Sequence, residues 1–262
     1  KEIIMQLLNE TQRQKYLDIW HRDKGISSSG LKVIACISML ISHIVQCNML
    51  QKFNIYPTMT LTSSDWRVTV GALMLFIGRI AFPIFAFLIV NGMFLTRSVE
   101  KYIVRLFSFA IISEIPFDLA ISGEMFDFYH QNVFFTLALS ACLIFVVEKI
   151  DKLDQSNLIK TILKLISVAI FCVIANYYHT DYSMLGILAV FLLYLGSSSR
   201  RNTYIAILFG YFFEAYMYLF VYLSIPIIHF YNGKKGNINK WAFYIFYPAH
   251  LLLISFIRDV VL

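Results

Sequence analysis

Apolar residues gather in long runs at about 31–50, 70–95, 102–121, 132–148, 158–176, 182–196, 203–230 and 241–257, separated by short polar connections. The runs are apolar on all sides and lack an alternation of period two, which predicts helices and not barrel strands. At about 20 residues per crossing, most of them have the length of one membrane span. The 203–230 stretch is long for one span and short for two. A hairpin turning near Glu214 gives nine spans, the preferred reading, and a single tilted helix gives eight. Ahead of these runs, residues 1–29 are polar and mixed in charge. Ile3, Ile4, Leu7 and Leu8, then Tyr16, Ile19 and Trp20, predict an amphipathic N-terminal segment on the cytoplasmic membrane surface, followed by a transmembrane domain over 30–262. The expected fold class is all-α, a polytopic membrane helix bundle.

Composition agrees with that pattern. Of the 262 residues 59% are hydrophobic and 15% charged, with a mean hydropathy of +0.68, where a soluble domain carries about 25% charge. The missing polar surface faces lipid, which excludes a soluble Rossmann, barrel or sandwich enzyme. The excess of 22 Lys+Arg over 16 Asp+Glu reports orientation in such a chain, not nucleic-acid binding. Cys36, Cys47, Cys142 and Cys172 all lie in apolar runs with no C-x-x-C spacing, so neither a disulfide framework nor a metal site is indicated.

Basic residues fall in alternate connections. Lys1, Arg13, Lys15, Arg22 and Lys24 precede the first run; Arg97, Lys101 and Arg105 follow the second; Lys149, Lys152, Lys160 and Lys164 follow the fourth; Arg200 and Arg201 follow the sixth. With nine spans, Lys234, Lys235 and Lys240 join them, leaving Lys52, Arg67 and Arg258 on the other side. The positive-inside rule then predicts a cytoplasmic N-terminus.

Ionisable groups within the hydrocarbon cost several kcal/mol and mark functional sites by default. Lys32 and His43 are eleven residues apart, about three turns, which returns them to nearly the same face roughly 16 Å apart. Arg79 lies deep in the second run, followed by Pro83. Glu114 and Asp118 flank Pro116 at i and i+4, on one side of a helix, and either is a candidate partner for Arg79. His250 follows Tyr247 and Pro248 in the 241–257 run. His21, His130, His179 and His229 lie at or near loops and carry no assigned role. The turn Tyr231-Asn232-Gly233-Lys234-Lys235-Gly236 offers lysines and backbone N–H groups suited to phosphate.

Together these segments resemble the TraX family, identified with N-terminal acetylation of conjugative pilin. The resemblance is carried by Leu31 to His43, Gly78-Arg79-Ile80-Ala81-Phe82-Pro83-Ile84-Phe85-Ala86-Phe87, Ser113-Glu114-Ile115-Pro116-Phe117-Asp118-Leu119, Gln131-Asn132-Val133-Phe134-Phe135-Thr136, Asp181-Tyr182, Tyr231-Asn232-Gly233-Lys234 and Tyr247-Pro248-Ala249-His250-Leu251, in family order. One position departs: Ser42 stands where the family commonly has an Asp before the first-helix histidine. The Lys32 to His43 spacing, with Asn91-Gly92-Met93-Phe94-Leu95 after Pro83, is also similar to the wider group of transmembrane acyltransferases.

The resemblance implies an integral-membrane acetyltransferase that takes an acetyl group from cytoplasmic acetyl-CoA, a donor substrate, and passes it to an amine or hydroxyl acceptor at the outer face. The acceptor would be a peptide N-terminus or a glycan. His43 would act as general base or form a transient acetyl-histidine. Arg79, Asn132 or Tyr247 would stabilise the oxyanion, and Glu114, Asp118 and His250 complete the expected catalytic set. Lys32, Lys101, Arg105, Tyr231, Asn232, Lys234 and Lys235 are the expected donor-binding residues. No metal is expected, and the expected partners are acetyl-CoA, the acceptor and membrane lipids, with no nucleic acid. The alternative reading is a transporter of a small anion or peptide, with Arg79, Glu114 and Asp118 as its coupling site.

Overall fold

A computed structural model describes residues 6–61, 63–215 and 219–261. The helices are α1 (Glu10–Trp20), α2 (Ser28–Gln46), α3 (Trp66–Gly78), α4 (Ala81–Leu95), α5 (Val99–Ile121), α6 (Val133–Asp151), α7 (Asn157–Tyr177), α8 (Ser183–Leu195), α9 (Arg200–Gly210), α10 (Phe212–Ala215), α11 (Ser224–His229) and α12 (Lys240–Phe256). Among the described residues there is no strand, only two isolated bridges. Among the described residues, five stretches are long and apolar enough to cross a membrane: Ser28–Gln46, Trp66–Leu95, Val133–Asp151, Asn157–Tyr177 and Lys240–Val261. The chain is a helical membrane bundle, as its apolar runs predict.

Two runs are subdivided. The 70–95 run breaks at Arg79 and Ile80 into α3 and α4, before Pro83 and not at it. Pro83 sits in the first turn of α4, where an N–H has no intrahelical partner and proline is tolerated. The 203–230 stretch is not one continuous helix: α9 ends at Gly210, and a 3-10 turn at Leu219–Leu223 precedes α11. Residues 216–218, next to the expected turn near Glu214, lie outside the described residues. At 1.5 Å per residue, α8 and α9 are about 20 and 16 Å long, short of the roughly 30 Å hydrocarbon core.

Packing divides the chain into two compact units. One comprises residues 1–21, 86–111 and 128–210. In it α6, α7 and α8 enclose a core of Leu143, Val147, Ala175 and Ile187, with Phe191 and Tyr194 at its margin. Helix α1 is docked there by its aromatic residues. The Tyr16 hydroxyl donates to Asn91 Oδ1 at 2.5 Å, Trp20 meets Phe87 edge-on, and Arg200 Nε donates to the Ile19 carbonyl at 2.6 Å. Tyr16 and Trp20 lie one turn apart and are both buried, so this segment is seated on protein through that face.

The second unit comprises residues 22–85, 112–127 and 211–262. Val45, Ile55, Ala72, Leu75 and Phe76 form its apolar core between α2 and α3. Gly78 allows the close approach of these helices, since a Cβ there would collide with Ser42. The α2 and α12 helices run side by side in the same direction. Ser28 meets Lys234, Lys32 meets Phe243, His43 meets His250 and Cys47 meets Arg258, an ascending order along both chains. Two parallel crossings enter from one face and leave at the other, so an odd number of crossings runs from α2 through α12. Nine spans have that parity.

Candidate functional site

At the entry of α2, the first-turn N–H groups have no partners within the helix. Ser27 caps one by accepting from Gly30 N at 3.2 Å. The carbonyls of Lys234 and Lys235 take two more, from Ser28 N at 2.8 Å and Ser29 N at 3.1 Å, and the Ser29 hydroxyl also donates to Lys235 O at 3.0 Å. Ile26 N donates to Phe230 O and Asn232 N to Ile26 O, completing a short main-chain lacing. Gly236 closes the turn at φ +82°, where a Cβ would strike the hydroxyls of Ser27 and Ser29.

This geometry alters the expectation that the loop's backbone N–H groups face phosphate. The N–H of Asn232 is used by Ile26 and that of Lys234 by the Asn232 side chain at 3.0 Å; the loop turns carbonyls towards α2 because that helix end needs acceptors. The cationic character of this rim therefore comes from side chains. Lys234 and Lys235 are exposed, and Lys32 Nζ lies over the Phe243 ring at 5.2 Å. Asn232 braces the loop by donating to Gly25 O at 3.2 Å. Tyr231 is buried, and burial pushes its phenol up to about 12, so it remains a neutral hydroxyl. Lys101 and Arg105 belong to the other unit, where Arg105 lies over Tyr102 at 5.4 Å.

Further along the α2–α12 seam, His43 and His250 meet. His43 Nδ1 lies 2.8 Å from His250 Nε2, and His250 Nδ1 lies 2.8 Å from the Phe246 carbonyl one turn back on α12. The two rings are parallel to within 3° with centroids 5.1 Å apart. That separation is what two ring radii of about 1.15 Å add to the contact, so the rings meet edge to edge with the bond in their shared plane. Tyr247 crosses both rings edge-on, at 6.3 Å from His43 and 5.6 Å from His250. Ser42 points elsewhere: it accepts from Gln46 Nε2 at 2.7 Å and backs onto Gly78. A carboxylate at that position in this structure would face α3, not the imidazole.

The other expected site residues are placed as follows. Arg79 ends α3 with its N–H on Phe76 O. Glu114 is half-buried on α5, two residues before Pro116. Asp118 is not the partner of Arg79. Its Oδ2 accepts from Asp127 N at 2.9 Å, while its buried Oδ1 and the buried Ser113 hydroxyl have no hydrogen-bond partner. Asn132, in the other unit, is fully buried and caps α6 by accepting from Phe134 N at 3.0 Å, and its amide donates to Ala110 O at 2.8 Å. That side chain joins α6 to α5. The same region pairs Gln131 with the 179–181 loop, and the Thr136 hydroxyl donates to Asp181 O. Two blocks far apart in sequence thus form one feature.

Arg258 has no counterpart in the sequence expectations except as a topological charge. Its guanidinium donates to the carbonyls of Ala120 at 2.6 Å, Leu119 at 2.9 Å and Cys47 at 3.2 Å, and it pairs with Asp259 at 2.6 Å. It therefore caps the C-terminal ends of α2 and α5 at once, a favourable place for a cation. Its signal in the sequence is an arginine immediately after an apolar run.

These features define a polytopic helical membrane protein with a partly buried histidine pair and a basic rim at one end of the same helix pair. A family model described as TraX protein matches residues 27–258, and the chain belongs to that family. It is 28% identical over 259 aligned residues to the probable fimbrial assembly protein FimC, serogroup H1, of Dichelobacter nodosus, covering 89% of this chain and 96% of that protein. No solved structure matches the chain.

Proposed function

We propose that this protein is an acyl-CoA-dependent membrane acetyltransferase of a bacterial cytoplasmic membrane, with its N-terminus and basic rim cytoplasmic. The observation that carries the reading is the His43–His250 contact, set in the same seam as Lys32 of α2 and the Lys234 and Lys235 loop bonded to the start of α2. The helical rise from Lys32 to His43 is about 16 Å, of the order of an extended pantetheine arm. Nucleotide phosphates held by the rim lysines would let the thioester reach His43 while the rest of the donor stays at the entry face. Membership of the TraX family and the relative's name as a fimbrial assembly protein support a surface-exposed peptide as acceptor.

In the reaction, a neutral imidazole takes the proton of the acceptor amine or hydroxyl as that atom attacks the thioester carbonyl. The new bond joins acceptor to acyl carbon, the carbon–sulfur bond breaks, and the proton ends on the CoA thiol. Envelope proteins and secreted peptides from cells with and without the protein, compared by mass spectrometry after feeding labelled acetate, test this. A labelled acetyl group present only with the protein is the expected result. Accumulation of a small anion or peptide in vesicles, with no acetyl transfer, would overturn it in favour of transport.

A further inference from the structure

We infer that His250 is a positioning residue that fixes the tautomer of His43, leaving His43 Nε2 as the atom that accepts the proton. The inference deepens the acetyltransferase reading and rests on it for its consequence in turnover, while the tautomer follows from the geometry alone. The reasoning starts at the far end of the chain of contacts. The Phe246 carbonyl can only accept, so the 2.8 Å contact requires a hydrogen on His250 Nδ1. If His250 is neutral, its Nε2 then carries a lone pair. The neighbouring His43 Nδ1, 2.8 Å away in the ring plane, must supply the hydrogen of that bond. A neutral His43 with hydrogen on Nδ1 has its lone pair on Nε2.

The alternative puts hydrogens on both nitrogens of His250, making it a cation. His250 is only 5% exposed, and among the described residues the contacts given for the two rings are to each other, to the main chain of Phe246 and Tyr247 and to aromatic rings, with no carboxylate among them. An unpaired charge buried in such surroundings costs several kcal/mol, so the neutral pair is the assigned state. Imidazole in water favours hydrogen on Nε2, and the hydrogen bond made by one nitrogen decides the state of the other. In this protein a second histidine, itself held by a backbone carbonyl, does for His43 what a carboxylate does in many hydrolytic sites.

The test uses the full chain in lipid nanodiscs with nitrogen-15-labelled histidine, the His43 signals being identified by their loss in His43→Ala. Wild-type His43 is expected to show hydrogen on Nδ1 and a scalar coupling across the bond to His250 Nε2. In His250→Leu the His43 hydrogen should move to Nε2, and kcat for acetyl transfer should fall about a hundredfold or more with KM for acetyl-CoA unchanged. His250→Gln, whose amide oxygen can accept from Nδ1–H, should retain the Nδ1–H tautomer and recover most of kcat. Hydrogen on Nε2 of wild-type His43, or unchanged kcat in a folded His250→Leu protein, would overturn the inference. If His250→Leu does not fold, the wild-type spectrum and His250→Gln still decide it. A wild-type protein with the Nδ1–H tautomer but no acetyl transfer would uphold the assignment and remove the acetyltransferase reading instead.

Discussion

The two ends of the α2–α12 seam that carry the candidate site are built from different kinds of bond. At the entry end the chains are laced main chain to main chain, with Ile26, Ser28 and Ser29 bonded to Phe230, Asn232, Lys234 and Lys235. Further along, where the histidines meet, the hydrogen bond that crosses the seam joins two side chains. A backbone lacing fixes the position of a loop but leaves its side chains free to vary. A side-chain contact does the reverse: the backbone needs only to be near, and the residue type is everything. Substitutions should therefore sort by region, with the rim sensitive to backbone strain and the histidine site to chemistry.

The sharpest way to break this comparison is at His43. His43→Ala should lower single-turnover acetyl transfer by about 10²- to 10⁴-fold while leaving acetyl-CoA binding within a few-fold. Near-normal turnover in the folded variant would move the proton acceptor away from α2. At the rim, Gly236→Val places a branched residue at φ +82° against two serine hydroxyls. It should cost about 1–3 kcal/mol of stability, read as a lower melting temperature in detergent. A loss of similar size is expected from Arg258→Leu, which removes a charge-assisted cap from three carbonyls, about 1.5–3 kcal/mol before relaxation and water recover part of it. Unaltered melting would show that the helix ends are held without the clamp.

The mildest change is Lys234→Gln with Lys235→Gln, since both side chains are exposed. Affinity for acetyl-CoA should weaken several-fold, by about 1 kcal/mol, while affinity for an acetyl-pantetheine thioester lacking the nucleotide stays the same. Equal losses for both donors would show that these lysines do not hold phosphate. Reporter fusions complete the series. Fusions ahead of Ser28 and after Val261 should report opposite faces, as the parallel course of α2 and α12 requires, and the same face for both would dismantle the register described above.

Much of this was legible in the sequence, and the limits have physical causes. Long apolar runs disclose helices because lipid demands them, and the Lys32 to His43 spacing is visible because it lies within one helix. The break between α3 and α4 falls at Arg79 and Ile80, one turn ahead of Pro83, because a proline leaves the carbonyl four residues before it without its N–H and itself sits comfortably in the first turn of the next helix. The expectation for the 231–236 loop is narrowed, because residue types do not show that the N–H groups of Asn232 and Lys234 are taken by the Ile26 carbonyl and the Asn232 side chain. Arg79 was offered two carboxylate partners from helical spacing alone, and Asp118 turned out to bind the Asp127 N–H. His250 was recognised as a buried histidine, but its contact with His43 spans 207 positions, beyond any local pattern.

That separation has a consequence for how the protein is made. Helix α2 emerges from the ribosome early and α12 far later, so every bond of the seam, from the Ile26 lacing to the histidine pair, waits for most of the chain to be inserted. Until then the N–H groups of Ser28 and Ser29 have only water or lipid headgroups as partners, and His43 has no second ring beside it. A nascent chain stalled before α12 thus holds His43 without the ring that meets it in the full chain. On the acetyltransferase reading proposed above, such a chain would gain turnover only once α12 is inserted beside α2.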